Sequence, residues 1–227
     1  MEALRTVRGL DLHQDLSGLV VALYLRSVPR TQSSALVRWQ SDRCAALDSL
    51  EEVHGKVTGR RRGRQYATEH LNLALFVSLA GEFQGFCRQL HDEAAVALSD
   101  SLGTPSDPRV LIFRNALIRG RKLDQGNAQP GSLGTDFQIL GMGLWSDIHG
   151  AYPRLGSKWN DTLTRLNKVR NAIAHRNDAQ LAAARQEQPL NLATFRKWRR
   201  SLNGAAAGFD NVVGAYLKDT AGVGWKV

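Results

Sequence analysis

The chain has 227 residues, 43% of them hydrophobic, which fits a protein with one sizeable core and excludes a disordered chain. Its net charge is +9 at pH 7, and arginine supplies 23 of its 30 basic residues. Arginine binds phosphate through two parallel hydrogen bonds. The composition therefore fits a polyanionic partner, and equally a well-solvated basic surface.

Cysteine content and hydropathy exclude further classes of protein. Cys44 and Cys87 are too few for a disulfide framework and have no metal-binding spacing, so we expect buried free thiols in a reducing cytoplasm. The longest apolar run, residues 16–25, is much shorter than the roughly 20 residues that a membrane span needs. Asp11 and Asp15 precede this run, which argues against a signal peptide. No metal, cofactor or membrane partner is predicted.

The first half of the chain is predicted to contain two helices after a separate N-terminal segment. Residues 1–30 form that segment, and residues 31–227 form one helical domain. The predicted helices cover residues 33–57 and 66–99, with a break over 55–63. The second helix has the strongest apolar periodicity, in a stripe formed by Leu75, Leu79, Phe83, Phe86, Leu90 and Ala94.

The second half alternates helices with breaks rich in glycine and proline. Residues 100–108 and 120–134 are predicted to be loops, the second of them mobile. The predicted helices cover residues 109–119, 136–152, about 157 to at least 175, and 191–218. The fold class is therefore predicted to be all-α, an antiparallel helical bundle.

Residues 170–175, Arg-Asn-Ala-Ile-Ala-His, place a cation, an amide and an imidazole within one and a half helical turns. Helical phase puts Arg170 inside an apolar stripe formed by Leu163, Leu166, Ile173 and Ala174. A cation on a buried face needs an anionic partner or ligand. Asn171 and His175 are neighbours on the flank of this stripe. These groups suit the cleavage of a phosphodiester without a metal, since arginine can hold the phosphate and histidine can move a proton.

The spacing within this motif raises the question of a second copy. Arg170 and His175 are five residues apart in the chain, hence about 140° apart around an ideal helix. One helix therefore does not aim both side chains directly at the same phosphate. Either the arginine side chain curls around, or two copies of the helix face each other across a two-fold axis. The second arrangement gives a composite site with two arginines and two histidines in a homodimer.

Residues 163–175, Leu-Thr-Arg-Leu-Asn-Lys-Val-Arg-Asn-Ala-Ile-Ala-His, resemble the signature helix of the HEPN superfamily, which carries an arginine, a polar residue, a short spacer and a histidine. Residues 76–86 resemble the long early helix of the HEPN group allied to bacterial defence and toxin proteins. Residues 139–152 and the last helix, with Trp198, are similar in order to the helix before the motif and the closing helix. The resemblance covers about residues 33–219.

This resemblance implies a dimeric HEPN-like four-to-five-helix bundle with extra helices, acting as a metal-independent endoribonuclease. Arg170 and His175 would take the catalytic positions and Asn171 the polar position. The ribose 2′-hydroxyl would attack the adjacent phosphorus and leave a 2′,3′-cyclic phosphate and a 5′-hydroxyl. A toxin or antiviral effector, with an antitoxin or a defence-system partner, is the implied biological class. The alternative is a non-catalytic HEPN module for dimerisation, nucleotide binding or partner docking.

Glu82 is the fourth candidate for the catalytic site. It lies at the edge of its helix's apolar stripe, and we expect it to pair with Arg170 or to fix the catalytic pair. The other interpretation is a solvated carboxylate at the rim of the core.

Further basic residues are candidates for binding RNA phosphates. They are Lys168, Arg176, Arg60, Arg61, Arg62, Arg64, Arg196, Arg199 and Arg200. Arg121 and Lys122 fit phosphate binding and solvation equally well. Trp198 shares an apolar stripe with Leu202 and Phe209, so a core position is predicted rather than a base-stacking role.

Overall fold

The computed structural model describes residues 31–59 and 68–225, and every regular element within these ranges is helical. In chain order the elements are α1 (Ser34–Arg38), a π-helical turn (Trp39–Arg43), α2 (Cys44–Thr58), α3 (Glu69–Asp100), α4 (Pro108–Ile118), α5 (Lys122–Gln125), α6 (Pro130–Ile139), α7 (Leu144–Ala151), α8 (Pro153–Ala174), α9 (Asp178–Glu187) and α10 (Leu192–Ala221). The predicted all-α class is confirmed. No helix within the described ranges is long and apolar enough to cross a membrane. The predicted N-terminal segment, residues 1–30, lies outside them.

Aromatic side chains of α3 and α10 form the centre of the core. Phe76 and Phe83 of α3, and Phe195 and Phe209 of α10, are completely buried. Phe76 meets Trp198 edge-on with ring centroids 5.1 Å apart, and Phe83 meets Phe209 at 5.9 Å. The apolar stripes of the two helices thus pack against each other. The core position predicted for Trp198 is confirmed.

The π-helical turn joins α1 and α2 into one continuous helical segment, close to the helix predicted over 33–57. Trp39 in this turn is almost completely buried and packs edge-on against Phe83 at 5.5 Å. Ser33 anchors the start of the segment, because its backbone N–H donates to Asp210 of α10 at 3.1 Å. Arg43 ends the turn and reaches α3, where it pairs with Glu82.

Cys44 and Cys87 are free thiols, as expected from the sequence. Cys87 is buried and Cys44 is partly buried. Burial raises the pKa of the Cys87 thiol well above its ordinary value, and the nearby Arg43 guanidinium partly opposes this shift. The Cys87 thiol therefore stays protonated and behaves as a small apolar core residue.

Two predictions for residues 120–152 are wrong. The predicted loop over 120–134 contains α5 and the beginning of α6, with Leu123 fully buried. The Asp136 carboxylate caps α5, because it accepts hydrogen bonds from the backbone N–H groups of Lys122 and Leu123 at 2.7 and 2.8 Å. The helix predicted over 136–152 is interrupted at Gly141, whose φ of +82° is a left-handed conformation that glycine adopts without strain.

The helix that carries the motif also differs from its predicted bounds. α8 begins at Pro153 rather than near 157, because proline's fixed φ and missing N–H suit the first turn of a helix. α9 is a helix that the sequence analysis does not predict. Asn177 caps it by accepting a hydrogen bond from the backbone N–H of Gln180 at 3.0 Å. α9 packs along α8.

Candidate functional site

The motif residues lie at the C-terminal end of α8. Arg170 and Asn171 belong to its last turns, and His175 is the C-cap residue. The backbone N–H groups of Arg176 and Asn177 bond to the carbonyls of Ile173 and Ala172 at 3.2 and 2.8 Å, which is the Schellman pattern of helix termination. Arg176 takes the left-handed conformation that this pattern requires, with φ of +49°. His175 is exposed where the chain leaves the helix.

Arg170 and Asn171 are joined through the Asn171 side-chain oxygen. Arg170 is partly buried, and its Nη1 donates to Asn171 Oδ1 at 3.3 Å. The Asn127 side-chain amide also donates to this oxygen. Because a guanidinium can only donate, the Asn171 oxygen rather than its amino group must face Arg170. The Asn171 Nδ2 is consequently directed away from this contact and is a donor suited to a ligand.

The predicted pairing of Glu82 with Arg170 is wrong. Glu82 Oε2 forms an ion pair with Arg43 Nη1 at 2.9 Å. The Arg43 guanidinium fits there because position 85 is glycine: a Cβ on Gly85 would lie 2.8 Å from Arg43 Cζ. Glu82 therefore links the π-helical turn to α3. Among residues 31–59 and 68–225, no carboxylate lies within ion-pair distance of Arg170.

The end of α8 carries a group of cations that the structure leaves uncompensated. Arg165, Lys168 and Arg176 are exposed, Arg170 is partly buried, and within the described part of the chain none of the four forms an ion pair. We call these four residues the α8 cation group. Arg176 follows the C-cap directly, at the negative end of the helix dipole, which favours a cation there. Lys168 and Arg176 lie beside the motif, and their contact with RNA stays a prediction.

The remaining basic candidates fall into three groups: arginines paired with acids, one exposed arginine, and arginines outside the described residues. Arg196 and Arg199 are paired with acids of α2, since Arg196 lies 2.5 Å from Glu51 and Arg199 lies 2.7 Å from Asp48. These contacts neutralise both arginines and join α10 to α2, so the phosphate-binding face predicted for them is not supported. Arg200 is exposed. Arg60, Arg61, Arg62 and Arg64 lie outside the described residues.

Asn127 is a site residue that the sequence analysis missed. It belongs to the connection between α5 and α6, which is held on both sides. Gln84 of α3 donates to the carbonyls of Leu123 and Gly126 at 2.9 and 2.6 Å. Asn167 of α8 donates to the Ala128 carbonyl at 3.0 Å. The signal in the sequence was the position of Asn167, four residues after Leu163 on the apolar face of α8, because a polar side chain on a buried face needs a hydrogen-bond partner from another element.

A buried contact between His91 of α3 and Arg121 holds the chain just before α5. His91 is fully buried, with its Nε2 donating to the Asp136 carbonyl at 3.0 Å and its Nδ1 accepting from Arg121 Nη1 at 3.3 Å. Arg121, 3% exposed, is also paired with Asp92 and Asp124. A phosphate-binding role for Arg121 is therefore excluded. Burial lowers the pKa of His91, and the Arg121 charge acts in the same direction against the Asp136 carbonyl, which raises it.

We expect the free energy of unfolding to fall with acidification below about pH 6.5, the pKa of an unfolded histidine. Because the folded-state pKa of His91 is lowered, the unfolded chain binds a proton at this histidine before the folded chain does. The stability that is present above about pH 6.5 is therefore lost as the pH falls towards the folded-state pKa of His91. The slope from this one group is at most about 1.4 kcal/mol per pH unit. Urea unfolding of wild type and His91→Gln between pH 7.5 and 5.5 measures it.

The exposed His70 provides the control for this measurement. His70→Gln should keep the wild-type pH dependence, whereas His91→Gln should reduce it. Equal slopes for His91→Gln and wild type would show that the imidazole of His91 titrates alike in both states.

Within the described ranges, no three His, Cys, Asp or Glu side chains are grouped where they could hold a metal ion. The groups able to act on a ligand near the motif are thus Arg170, Asn171, His175 and their cationic neighbours. Comparisons with family models, with curated proteins and with solved structures found no match to this chain. The function of the site has to be inferred from its own residues.

Proposed function

We propose that the protein is a metal-independent endoribonuclease whose active site is the end of α8. The observation that carries this proposal is the state of Arg170. Its guanidinium is partly buried, is positioned by Asn171, and has no carboxylate partner among the described residues. Arginines elsewhere, such as Arg43 and Arg121, are paired with acids. A guanidinium held this way retains donors for an anionic ligand, and phosphate is the anion whose geometry it matches.

The chemistry assigns one role to each motif residue. The ribose 2′-oxygen attacks the adjacent phosphorus, the bond from phosphorus to the 5′-oxygen breaks, and the products are a 2′,3′-cyclic phosphate and a 5′-hydroxyl. His175 takes the proton of the 2′-hydroxyl as its neutral imidazole, or gives a proton to the departing 5′-oxygen as its imidazolium. Arg170 stabilises the charge on the phosphorane, and Asn171 Nδ2 donates to a phosphate oxygen or orients the imidazole.

A homodimer completes this mechanism. The reaction needs a base and an acid at once, whereas one chain contributes a single His175. Two α8 ends facing each other across a two-fold axis supply two imidazoles and two guanidinium groups to one phosphate. The cations of the α8 cation group would attract the RNA backbone to this position.

The biological role that we propose is a cytoplasmic toxin or antiviral effector of the HEPN type. The resemblance of residues 163–175 to the HEPN signature helix supports this assignment. An endoribonuclease of this kind has to be restrained until it is needed, so an antitoxin or a defence-system partner belongs to the proposal.

The proposal is tested by incubating the purified full chain with RNA of mixed sequence in EDTA and analysing the ends of the products. We expect cleavage that persists in EDTA and produces 2′,3′-cyclic phosphate and 5′-hydroxyl ends. RNA with 2′-O-methyl groups at every ribose should resist cleavage because it lacks the attacking hydroxyl. Products with 5′-phosphate ends would overturn the proposed chemistry. Absence of cleavage in varied RNAs would favour the non-catalytic module.

A further inference from the structure

A cleft beside the motif remains unused by the chemistry described above. It lies between α8 and α9, has a volume of about 330 Å³, and is also lined by Trp198 of α10. Asn171 and Lys168 belong to both the cleft and the motif region. A volume of this order accommodates a small planar ligand such as a nucleobase.

Part of the cleft lining is apolar and held in place. Val169 and Trp198, which are 2% and 4% exposed, line it together with Ala184. The Trp198 ring is held edge-on by Phe76 at 5.1 Å, so its orientation is set by the core. At 4% exposure Trp198 keeps its core position and contributes only an apolar patch to the cleft, against which the edge of a planar base can pack.

Polar groups also line the cleft. Gln180 and Gln188 contribute amides that present both a donor and an acceptor, and Asn171 contributes its Nδ2 donor, since its oxygen accepts from Arg170 and Asn127. Glu187 contributes a carboxylate, which only accepts when ionised. Such a set matches the hydrogen-bonding edge of a nucleobase better than it matches an apolar ligand.

The cleft lining also carries cations. Arg165 and Lys168 line it from α8, and both are exposed members of the α8 cation group. The lining thus combines apolar side chains, hydrogen-bonding groups and exposed cations, which are the kinds of group that bind a nucleobase and its phosphate.

We infer that this cleft binds the nucleobase next to the phosphate that is cleaved. The inference rests on the proposed ribonuclease function and adds a base subsite to it. Because Asn171 lines the cleft and also contacts Arg170, a seated base would place its own phosphate beside the motif. The Glu187 carboxylate accepts from an exocyclic amino group, which adenine, guanine and cytosine have and uracil lacks.

Two neighbouring alanines of α9 provide a matched test. Ala183 and Ala182 are both exposed, but only Ala183 lines the cleft. Ala183→Phe should fill the cleft and weaken binding of a fluorescent 2′-O-methyl RNA by about tenfold, the equivalent of losing one stacked base. Ala182→Phe adds the same ring outside the cleft and should change the affinity by less than about twofold. Fluorescence anisotropy measures both, and circular dichroism melting checks that both variants fold.

The base preference is tested by competition with the four ribonucleoside 5′-monophosphates. UMP should be the weakest competitor against wild type, and Glu187→Gln should reduce this difference. Equal affinities of Ala183→Phe and Ala182→Phe for the 2′-O-methyl RNA would overturn the base subsite. This RNA cannot be cleaved, so binding tests the cleft while cleavage of ordinary RNA tests the proposed function, and either can fail without the other.

Discussion

His175→Ala is expected to slow RNA cleavage by about 10²- to 10⁴-fold, the usual contribution of a general acid or base. The imidazole is exposed, and no hydrogen bond or ion pair joins it to another side chain in the described ranges. Its removal should therefore leave the melting temperature and the affinity for 2′-O-methyl RNA nearly unchanged. Single-turnover cleavage rates with saturating enzyme separate this loss of chemistry from any loss of binding.

The matched control for this variant is His149→Ala. His149 is a partly buried histidine on α7 that stacks near Trp145 at 6.2 Å and lies outside the motif. We expect its replacement to leave the cleavage rate within about twofold of wild type. A His175→Ala rate equal to that of wild type would remove His175 from the reaction and with it the proposed mechanism.

The long helices could be predicted from the sequence because their signals are local. α3 and α10 carry apolar stripes of several turns, and both were predicted to within a few residues of their observed bounds. α5 could not be predicted, since it has four residues and its cap comes from Asp136, 13 and 14 residues further along the chain. Short helices of this kind depend on distant side chains rather than on their own periodicity.

The candidate site likewise has parts that follow from local signals in the sequence and parts that depend on contacts with distant residues. Asn171 and His175 are predicted as neighbours because their i,i+4 spacing on one helix defines their relative positions, and the His175 N–H does bond to the Asn171 carbonyl at 2.9 Å. The contacts made by other elements were not predictable: Asn127 is 44 residues from Asn171, and Arg43 is 39 residues from Glu82. An acid at the edge of an apolar stripe indicates that some cation is near, but the sequence does not say which one. In the structure the cation beside Glu82 is Arg43, which the π-helical turn brings to α3.

The positioning of Asn171 connects the fold to the proposed chemistry. Gln84 and Asn167 hold the connection between α5 and α6, and this connection presents Asn127 to Asn171. The amide that faces Arg170 is thereby fixed before any ligand binds. Preorganised donors of this kind stabilise developing charge without a cost of reorganisation during the reaction. The structural role of α5 is therefore to hold the site rather than to cover it as a mobile loop.

A mixture of two inactive variants is expected to regain activity, and this is the sharpest test of the composite site. Arg170→Ala and His175→Ala each remove one group that the site requires. In the composite site of a mixed dimer, one guanidinium and one imidazole remain, and they come from different protomers, whereas each variant alone lacks one kind of group entirely. Random exchange makes half of the dimers mixed, so an equimolar mixture should exceed either variant alone and stay below about half of the wild-type activity, because one imidazole is missing from each mixed site.

The mixture has to be compared with each variant alone at the same total concentration, after a mild denaturation and refolding step that exchanges subunits. The double variant Arg170→Ala/His175→Ala, mixed with wild type, provides the control, because its mixed dimers also keep one guanidinium and one imidazole, but both from the same protomer. The wild-type homodimers in this control account for about a quarter of the wild-type activity. Size-exclusion chromatography with light scattering should show a dimer in every sample. No recovery in a mixture proven to contain mixed dimers would overturn cleavage by a guanidinium and an imidazole from different protomers. Activity of the control mixture well above one quarter would instead place Arg170 and His175 of a single chain at the same phosphate, with the arginine side chain curling around α8 to reach it.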